Sequence, residues 1–155
     1  MWLNTGDLAY RIAKNIVITG RAKDHIIVNG RNLWPQDLEG LAERQPEVRN
    51  GDALAISVAG TDGNNMAVLL IQCRKPQEAE RSDLVRRIRR LIQRELFIDC
   101  TIELVPRHTL PRTTSGKLSR SQARKDYLSR ISGRQTIRPG RVGRANLLRT
   151  AKRVA

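Results

Sequence analysis

The chain has 155 residues, of which 39% are hydrophobic and 3% aromatic, and its formal net charge is +14 at pH 7. This length suits one domain, or one small domain with tails, whose core must consist mainly of aliphatic side chains. Such a basic balance favours nucleic acid, phosphate-rich ligands or acidic proteins as partners. The charge is uneven, because residues 130–155 carry eight Lys or Arg and no Asp or Glu.

The sequence gives no sign of secretion, membrane insertion or metal binding. Residues 1–20 contain no recognisable signal peptide, and no run approaches the ~18 apolar residues of a membrane-spanning helix. Cys73 and Cys100 are too few and too isolated to predict a disulfide framework, and the two histidines do not lie at metal-ligand spacing. We therefore expect a cytoplasmic protein with no metal site in this chain.

The first half of the chain predicts two short strands, a helix and a hairpin. An entering loop leads to a strand at residues 16–19 and another at 26–28, which ends at the turn dipeptide Asn29-Gly30. A helix opens at Pro35 and runs to about Arg44. Strands at 53–59 and 66–73, separated by turn residues, predict a hairpin.

The second half predicts a helix from Ser82 or Asp83 to about Leu96, a strand at 101–105, and a helix from Ser119 to about Ile131. Beyond Gly133 the pattern dissolves into basic sequence. The fold class is therefore α+β. We expect a small three-stranded mixed sheet flanked by helices, with a short β-hairpin beside it.

The most informative segment is residues 110–120, LPRTTSGKLSR, which places Lys117 directly after a glycine. A lysine is a compact point charge on a flexible stem, suited to reaching a phosphate or carboxylate. The segment is not a Walker loop, because Pro111 and Leu118 occupy positions where that motif needs Gly and Ser or Thr. Three further cations are expected within reach of the loop: Arg107, Arg112 and Arg120.

Three segments of the chain resemble late motifs of the adenylate-forming enzymes, in the same order and at similar spacings. They are residues 5–8 (TGDL), residues 20–24 (GRAKD) with the following Ile26 and Ile27, and residues 110–120. That family includes acyl-CoA synthetases and peptide-synthetase adenylation domains, and the chain looks like its C-terminal domain. Residues 28–39 (VNGRNLWPQDLE) are most similar to the fatty-acyl-AMP ligase branch.

The resemblance implies a two-step ligase reaction. A fatty acid attacks the α-phosphate of ATP, with Mg²⁺ expected in the N-terminal adenylation domain, and gives an acyl adenylate and pyrophosphate. The acyl group then passes to a thiol, in this branch mainly that of an acyl carrier protein rather than free coenzyme A. The phosphate loop and acyl tunnel of such enzymes belong to the N-terminal domain, so this chain alone is expected to be inactive.

The resemblance also implies roles for three residues. Lys117 matches the adenylation lysine, which stabilises charge on the reacting oxygens; a solvated surface lysine is the alternative. Asp7 matches the aspartate that accepts hydrogen bonds from the ribose hydroxyls, and the alternative is an Asp that caps a turn. Arg21 matches a ribose-contacting arginine, with a salt bridge to Asp24 or Glu39 as the alternative.

The family pattern divides the chain into three parts. Residues 1–22 correspond to the end of the large N-terminal domain, residues 23–132 to a mobile C-terminal lid domain, and residues 133–155 to a basic tail or linker without fixed structure. Lys23 falls at the hinge position, where backbone freedom matters more than the side chain. The predicted short hairpin then lies at the hinge-proximal end of the lid.

Two other functions stay open at this point. An acyl-CoA ligase domain would share the same three site residues, so only the thiol acceptor distinguishes it. The net charge and the arginine-rich helix at residues 81–94 suggest a basic nucleic-acid-binding module. The low aromatic content argues against stacking on single strands, so specific nucleic-acid binding is not expected. The same helix could instead face solvent, or present a basic surface to an acidic carrier protein.

Overall fold

The computed structural model describes residues 4–60, 64–74 and 77–135. Its helices are α1 (Pro35–Glu43), α2 (Glu78–Leu96) and α3 (Arg120–Gln135), with a short 3₁₀ helix at Ala22–Asp24. No helix in these ranges is long and apolar enough to cross a bilayer. The strands are β1 (Asp7–Ile12), β2 (Asn15–Arg21), β3 (Ile26–Val28), β4 (Arg31–Leu33), β5 (Ala53–Ala59), β6 (Asn65–Gln72) and β7 (Thr101–Val105).

The central sheet consists of β5, β6 and β7 in that order, with β5 antiparallel and β7 parallel to β6. Helices cover both of its faces, which is why β5 and β6 read as nearly continuous apolar runs. One face, with Ala55, Leu69 and Ile71, packs against α1, α2 and β3. The other face, with Leu54 and Val68, packs against α3. The predicted mixed sheet flanked by helices is confirmed.

The predicted turn at Asn29 and Gly30 joins β3 to β4, and the two strands pair antiparallel. Both turn residues have positive φ, +49° for Asn29 and +73° for Gly30. This left-handed conformation is the one that a two-residue hairpin favours, and Asn and Gly adopt it most easily. The short hairpin is therefore confirmed, and β4 supplies a strand that the sequence interpretation did not include.

The predicted entering loop is wrong for residues 7–12, which form β1 and pair with β2 as a separate antiparallel ribbon. The alternation of Leu8, Tyr10 and Ile12 with other residues has the period of a strand and was the signal for it. The ribbon turns at Ala13, whose φ is +52°. β2 is also longer at both ends than the predicted strand at residues 16–19.

The predicted start of the second helix at Ser82 or Asp83 is wrong, since α2 begins at Glu78. Its first turn carries acidic residues, which the positive end of the helix dipole favours. α3 begins directly after Ser119 as predicted, but it continues to Gln135 and thus past the predicted lid boundary at residue 132. The predicted turn residues 61–63 and the tail from residue 136 lie outside the described residues.

We expect Cys100 to be unreactive in the folded chain, because it is only 7% exposed and burial raises its pKa to about 12. Thiolate is the reactive form, so a raised pKa and a covered sulfur both slow modification. In a Cys73→Ser variant, Ellman's reagent at pH 8 should react with Cys100 far more slowly without denaturant than with it. The Cys100→Ser variant, which keeps the half-buried Cys73, is the comparison. Equal rates for Cys100 in both conditions would contradict its burial.

Candidate functional site

The β1–β2 ribbon brings Asp7 and Arg21 together, because the strand register makes them cross-strand partners. Nε of Arg21 lies 3.4 Å from Oδ1 of Asp7, and 33% of the Asp7 side chain and 59% of the Arg21 side chain are exposed. The ion pair predicted as the alternative for Arg21 thus exists, but with Asp7 rather than with Asp24 or Glu39. Two residues matched to one ribose are neighbours at one end of the ribbon.

The turn before Asp7 is capped by other residues. The Asn4 side chain accepts a hydrogen bond from the Gly6 N–H at 2.9 Å, and Thr5 Oγ1 accepts one from the Asp7 N–H at 3.3 Å. The carbonyl of Gly6 accepts from the backbone N–H of Ala22 at 2.9 Å, which closes the ribbon end. These contacts hold the backbone of Asp7 while its carboxylate faces Arg21 and solvent.

Lys117 is exposed near the tip of a tight hairpin, here called the lysine loop and defined as residues 112–118. Arg112 and Leu118 form an antiparallel bridge at its base, and the Thr113 N–H donates to the Lys117 carbonyl at 2.7 Å. Gly116 has φ +79°, a left-handed conformation that a side chain would strain, and this lets the loop reverse immediately before Lys117. The loop has a defined backbone and carries its ammonium group into solvent.

A buried amide that the sequence interpretation missed holds the approach to the lysine loop. Gln72, at the end of β6, is 8% exposed. Its Oε1 accepts from the N–H groups of Thr109 at 3.1 Å and Leu110 at 3.4 Å, and its Nε2 donates to Asp52 at 2.7 Å. A polar residue closing the apolar run of β6 was the only sequence signal for it. Because both the oxygen and the nitrogen of this amide are hydrogen-bonded, they fix the direction in which the chain leaves the sheet toward the lysine loop.

Two of the three arginines expected within reach of the loop form hydrogen bonds or ion pairs within the fold. Arg112 donates to the carbonyls of Gly116 at 2.9 Å and Gly51 at 3.0 Å, which fastens the loop to the turn before β5. Arg120 is 22% exposed and ion-paired. Arg107 is exposed. Arg112 is also exposed, but its guanidinium is occupied by these carbonyls, which leaves the ammonium group of Lys117 as the loop's other exposed cation.

Glu39, which lies on α1, is a largely buried partner of Arg120. Its carboxylate accepts from Nη2 of Arg120 at 2.8 Å and from the backbone N–H of Ala55 at 2.9 Å. Burial raises the pKa of Glu39, and the Ala55 and Arg120 contacts act in the opposite direction. The pair explains why an acid is accommodated between α1 and the sheet.

Lys23 lies in the 3₁₀ helix at Ala22–Asp24, between the ribbon and β3. Both flanks of this turn are packed. Before it, a Cβ added to Gly20 would lie 2.9 Å from the Trp34 ring, so only glycine allows this approach. After it, the His25 ring packs on Trp34 with 4.7 Å between centroids. The hinge assignment of Lys23 stays a prediction, and the turn it occupies is short and bounded by fixed neighbours.

Most arginines of α2 are paired within the domain. Arg87 donates to Glu47 at 2.5 Å and to Asp83 at 3.0 Å, and Arg86 also bonds Asp83. These hydrogen bonds, from Arg86 first, lower the pKa of Asp83. Arg94 pairs with Glu95 at 3.1 Å. The helix is thus a solvated face on which most arginines are paired, which weakens both the nucleic-acid and the carrier-docking interpretations of it.

Across the described part of the chain, no group of three or more His, Cys, Asp or Glu side chains could hold a metal ion. The chemistry that the site offers is instead polar and cationic. A carboxylate and a guanidinium lie at the end of the ribbon, and an ammonium group lies on the lysine loop. This donor and acceptor set fits the hydroxyls and phosphate oxygens of a nucleotide.

No family profile matches the chain, but individual known proteins do. The chain is 42% identical over 133 residues to a putative acyl-CoA synthetase of Caulobacter vibrioides, which covers 85% of this chain and 23% of that protein. It is 32% identical over 131 residues to a medium-chain fatty-acid–[acyl-carrier-protein] ligase of Moorena producens, covering 82% of this chain and 22% of that protein. Both matches extend over most of the described residues.

A solved structure from a study of fatty acyl-adenylate ligases of E. coli and L. pneumophila aligns with a TM-score of 0.76 and 41% identity, over 86% of this chain and 24% of that one. The chain therefore spans about a quarter of the length of the proteins it matches. It belongs to the adenylate-forming enzymes, the superfamily of acyl-CoA synthetases and adenylation domains. Within that superfamily it corresponds to the C-terminal domain, and fatty acyl-adenylate ligases are among its relatives in sequence and in fold.

Proposed function

We propose that this chain is the lid of a fatty-acyl-AMP ligase, which activates a fatty acid with ATP and passes the acyl group to an acyl carrier protein. The observation that carries the proposal is the lysine loop. One exposed ammonium group stands on a hairpin whose other cation, Arg112, is used to hold the backbone of the hairpin itself. Membership of the adenylate-forming superfamily, together with this geometry, supports Lys117 as the group that acts on the nucleotide.

Lys117 would serve the first step. Negative charge develops on the carboxylate and phosphorus oxygens as the fatty acid attacks the α-phosphate of ATP. An ammonium group held beside those oxygens stabilises the transition state more than the ground state, which is the condition for a faster reaction. The bonds from Arg112 keep the loop backbone in place, so little ordering is needed at the moment of reaction.

Asp7 and Arg21 would hold the nucleoside. The carboxylate of Asp7 can accept two hydrogen bonds from ribose hydroxyls, while the ion pair with Arg21 orients that carboxylate. Metal ions that assist phosphoryl chemistry would be bound by the large domain, since the described residues offer no cluster for them. The chain's own contribution is therefore to orient the nucleotide and supply one charge.

The exposed apolar surface of the β1–β2 ribbon supports the presence of a further domain that packs against it. Tyr10, Ile12, Ile16 and Ile18 are between 52% and 75% exposed. The register places Tyr10 and Ile12 on one face and Ile16 and Ile18 on the other, so both faces carry exposed apolar surface. A two-stranded ribbon of this kind is marginal in water and normally lies against further structure. We propose that the N-terminal adenylation domain covers it, as expected for residues 1–22.

A chimera provides the direct test. The segment of the Caulobacter vibrioides relative that aligns with this chain is replaced by this chain, and ATP–pyrophosphate exchange is measured with fatty acids of several lengths. Exchange by the chimera and none by this chain alone is the expected result. A folded chimera without exchange, beside an active parent enzyme, would contradict the proposal. Holo acyl carrier protein and free coenzyme A are then compared as acceptors, and faster transfer to coenzyme A would favour an acyl-CoA ligase instead.

We expect Asp7→Asn in the chimera to raise the KM for ATP more than it lowers kcat. The amide keeps one acceptor oxygen but loses the charge that is paired with Arg21, so nucleoside binding weakens in the ground state and the transition state alike. The loss of a hydrogen bond to a charged group corresponds to roughly 1.5–3 kcal/mol, about a 10- to 100-fold rise in KM. Asp126→Asn, an exposed acid of α3, is the control. An unchanged KM for ATP would exclude Asp7 from the ribose site.

A further inference from the structure

Arg120 lies at the start of α3, three residues after Lys117, yet only 22% of its side chain is exposed. Its Nη2 donates to both carboxylate oxygens of Glu39 at 2.8 Å. Glu39 is fixed in turn by the backbone N–H of Ala55 in β5, at 2.9 Å. This guanidinium is therefore held at one position by contacts with α1, β5 and α3, and its side chain has little freedom to move into solvent.

The same guanidinium also faces the 3₁₀ turn that contains Lys23. Nη1 of Arg120 lies 3.8 Å from Oδ2 of Asp24, the last residue of that turn. Nε of Arg120 is buried and has no hydrogen-bond partner. The position of the group is thus set by its two carboxylates, at the expense of its own hydrogen bonding. Arg120, which lies on α3, therefore connects the turn at Asp24 to Glu39 and, through Glu39, to the sheet.

We propose that Arg120 is a positioning residue that ties the turn at Ala22–Asp24 to the lysine loop. The loop reaches Arg120 through a short, bonded path, since the Ser119 N–H donates to the Pro111 carbonyl at 2.9 Å. With the tie in place, the turn keeps one orientation relative to the lysine loop. Without the tie, the turn can reorient while the loop stays with the sheet. The catalytic consequence rests on the adenylation function proposed above, whereas the mechanical tie does not.

The mechanical tie is tested in this chain by double electron–electron resonance. Spin labels are placed at Ala22→Cys in the turn and Ser115→Cys in the lysine loop, both exposed positions, in a Cys73→Ser background. A narrow distance distribution is expected for the otherwise unchanged chain, and a broad one for Asp24→Asn and Arg120→Gln. Asp24→Asn keeps the Arg120–Glu39 pair, so it remains informative if Arg120→Gln does not fold. A broad distribution in the unchanged chain, or a narrow one in Asp24→Asn, would overturn the proposal.

Arg130→Gln is the matched control. Arg130 also lies on α3 and pairs with an acid of the sheet, Glu103 at 2.7 Å, but it does not contact the turn. Its loss removes an ion pair of similar type, so a general loosening of α3 would broaden the distribution in this variant too. We expect the distance distribution of Arg130→Gln to stay narrow. Equal broadening in Arg120→Gln and Arg130→Gln would mean that Arg120 only stabilises the fold.

The catalytic consequence is tested in the chimera. Asp24→Asn is expected to lower kcat for acyl-adenylate formation roughly 10²-fold at an unchanged KM for ATP, the loss typical of a reacting group displaced by about 1 Å. Arg130→Gln should leave kcat unchanged. If the chimera with the unchanged chain is inactive, the proposed function fails while the resonance measurement still decides the tie. A full kcat in Asp24→Asn would show that the tie has no catalytic role.

Discussion

Replacing Lys117 by alanine is expected to slow acyl-adenylate formation by roughly 10²–10³-fold in the chimera, the equivalent of about 2.7–4 kcal/mol of transition-state stabilisation. The residue is exposed, and the loop that carries it is held by bonds that do not involve its side chain. The folded structure should therefore be unchanged, and the loss should appear in kcat more than in the KM for ATP. ATP–pyrophosphate exchange measures this step directly.

The control for this experiment is Lys125→Ala, which removes the same charge from an exposed position on α3. The two steps of the reaction separate the role further. If the lid rotates between steps, Lys117 is needed only for adenylation, so Lys117→Ala should still transfer an acyl group from acyl adenylate that is supplied in the assay. Full adenylation activity in Lys117→Ala, or an equal loss in Lys125→Ala, would leave the site assignment without support.

Ile88→Ala is expected to destabilise the chain by about 2–5 kcal/mol, the usual result of truncating a fully buried aliphatic side chain. Ile88 lies on the inner face of α2 with no exposed surface, in the cluster between α2 and the sheet. Its removal leaves a cavity that the surrounding helices and strands cannot fill completely. Urea unfolding followed by circular dichroism gives the change in the free energy of unfolding.

The matched variant is Ile16→Ala, which makes the same substitution at a position that is 75% exposed on the ribbon. In this chain the effect should stay within about 0.5 kcal/mol. In the chimera the same substitution should destabilise more, because the large domain would then cover that side chain. Comparable losses for Ile88→Ala and Ile16→Ala in this chain would mean that the ribbon already packs against the domain.

The local elements with clear apolar runs were predictable from the sequence. β5 and β7 have the predicted bounds, because each is an apolar segment limited by turn residues. α2 was predicted too short because the stripe of buried residues begins at Leu84, while its first turn rests on helix-forming polar residues. The spacing of apolar residues indicates which helical turns are buried, and it gives no signal for turns that are exposed to solvent.

The contacts that organise the site could not be read from the sequence. Glu39 and Arg120 are 81 residues apart, and Gln72 and Thr109 are 37 apart, so their pairing depends on how the helices pack on the sheet. Counting cations near Lys117 placed three arginines within reach of the loop, but it could not tell that two of them are used to build the fold. Motif spacing indicated Lys117 itself, because the role proposed for it depends on local backbone geometry.

The exposed apolar side chains on both faces of the β1–β2 ribbon affect how the isolated chain behaves in solution. Its strands have unpaired outer edges and uncovered isoleucines, a combination that invites pairing with another molecule. The net charge of +14 opposes this by mutual repulsion. Added salt screens that repulsion, so this chain on its own should be most soluble at low ionic strength, and covering the ribbon would remove its tendency to associate.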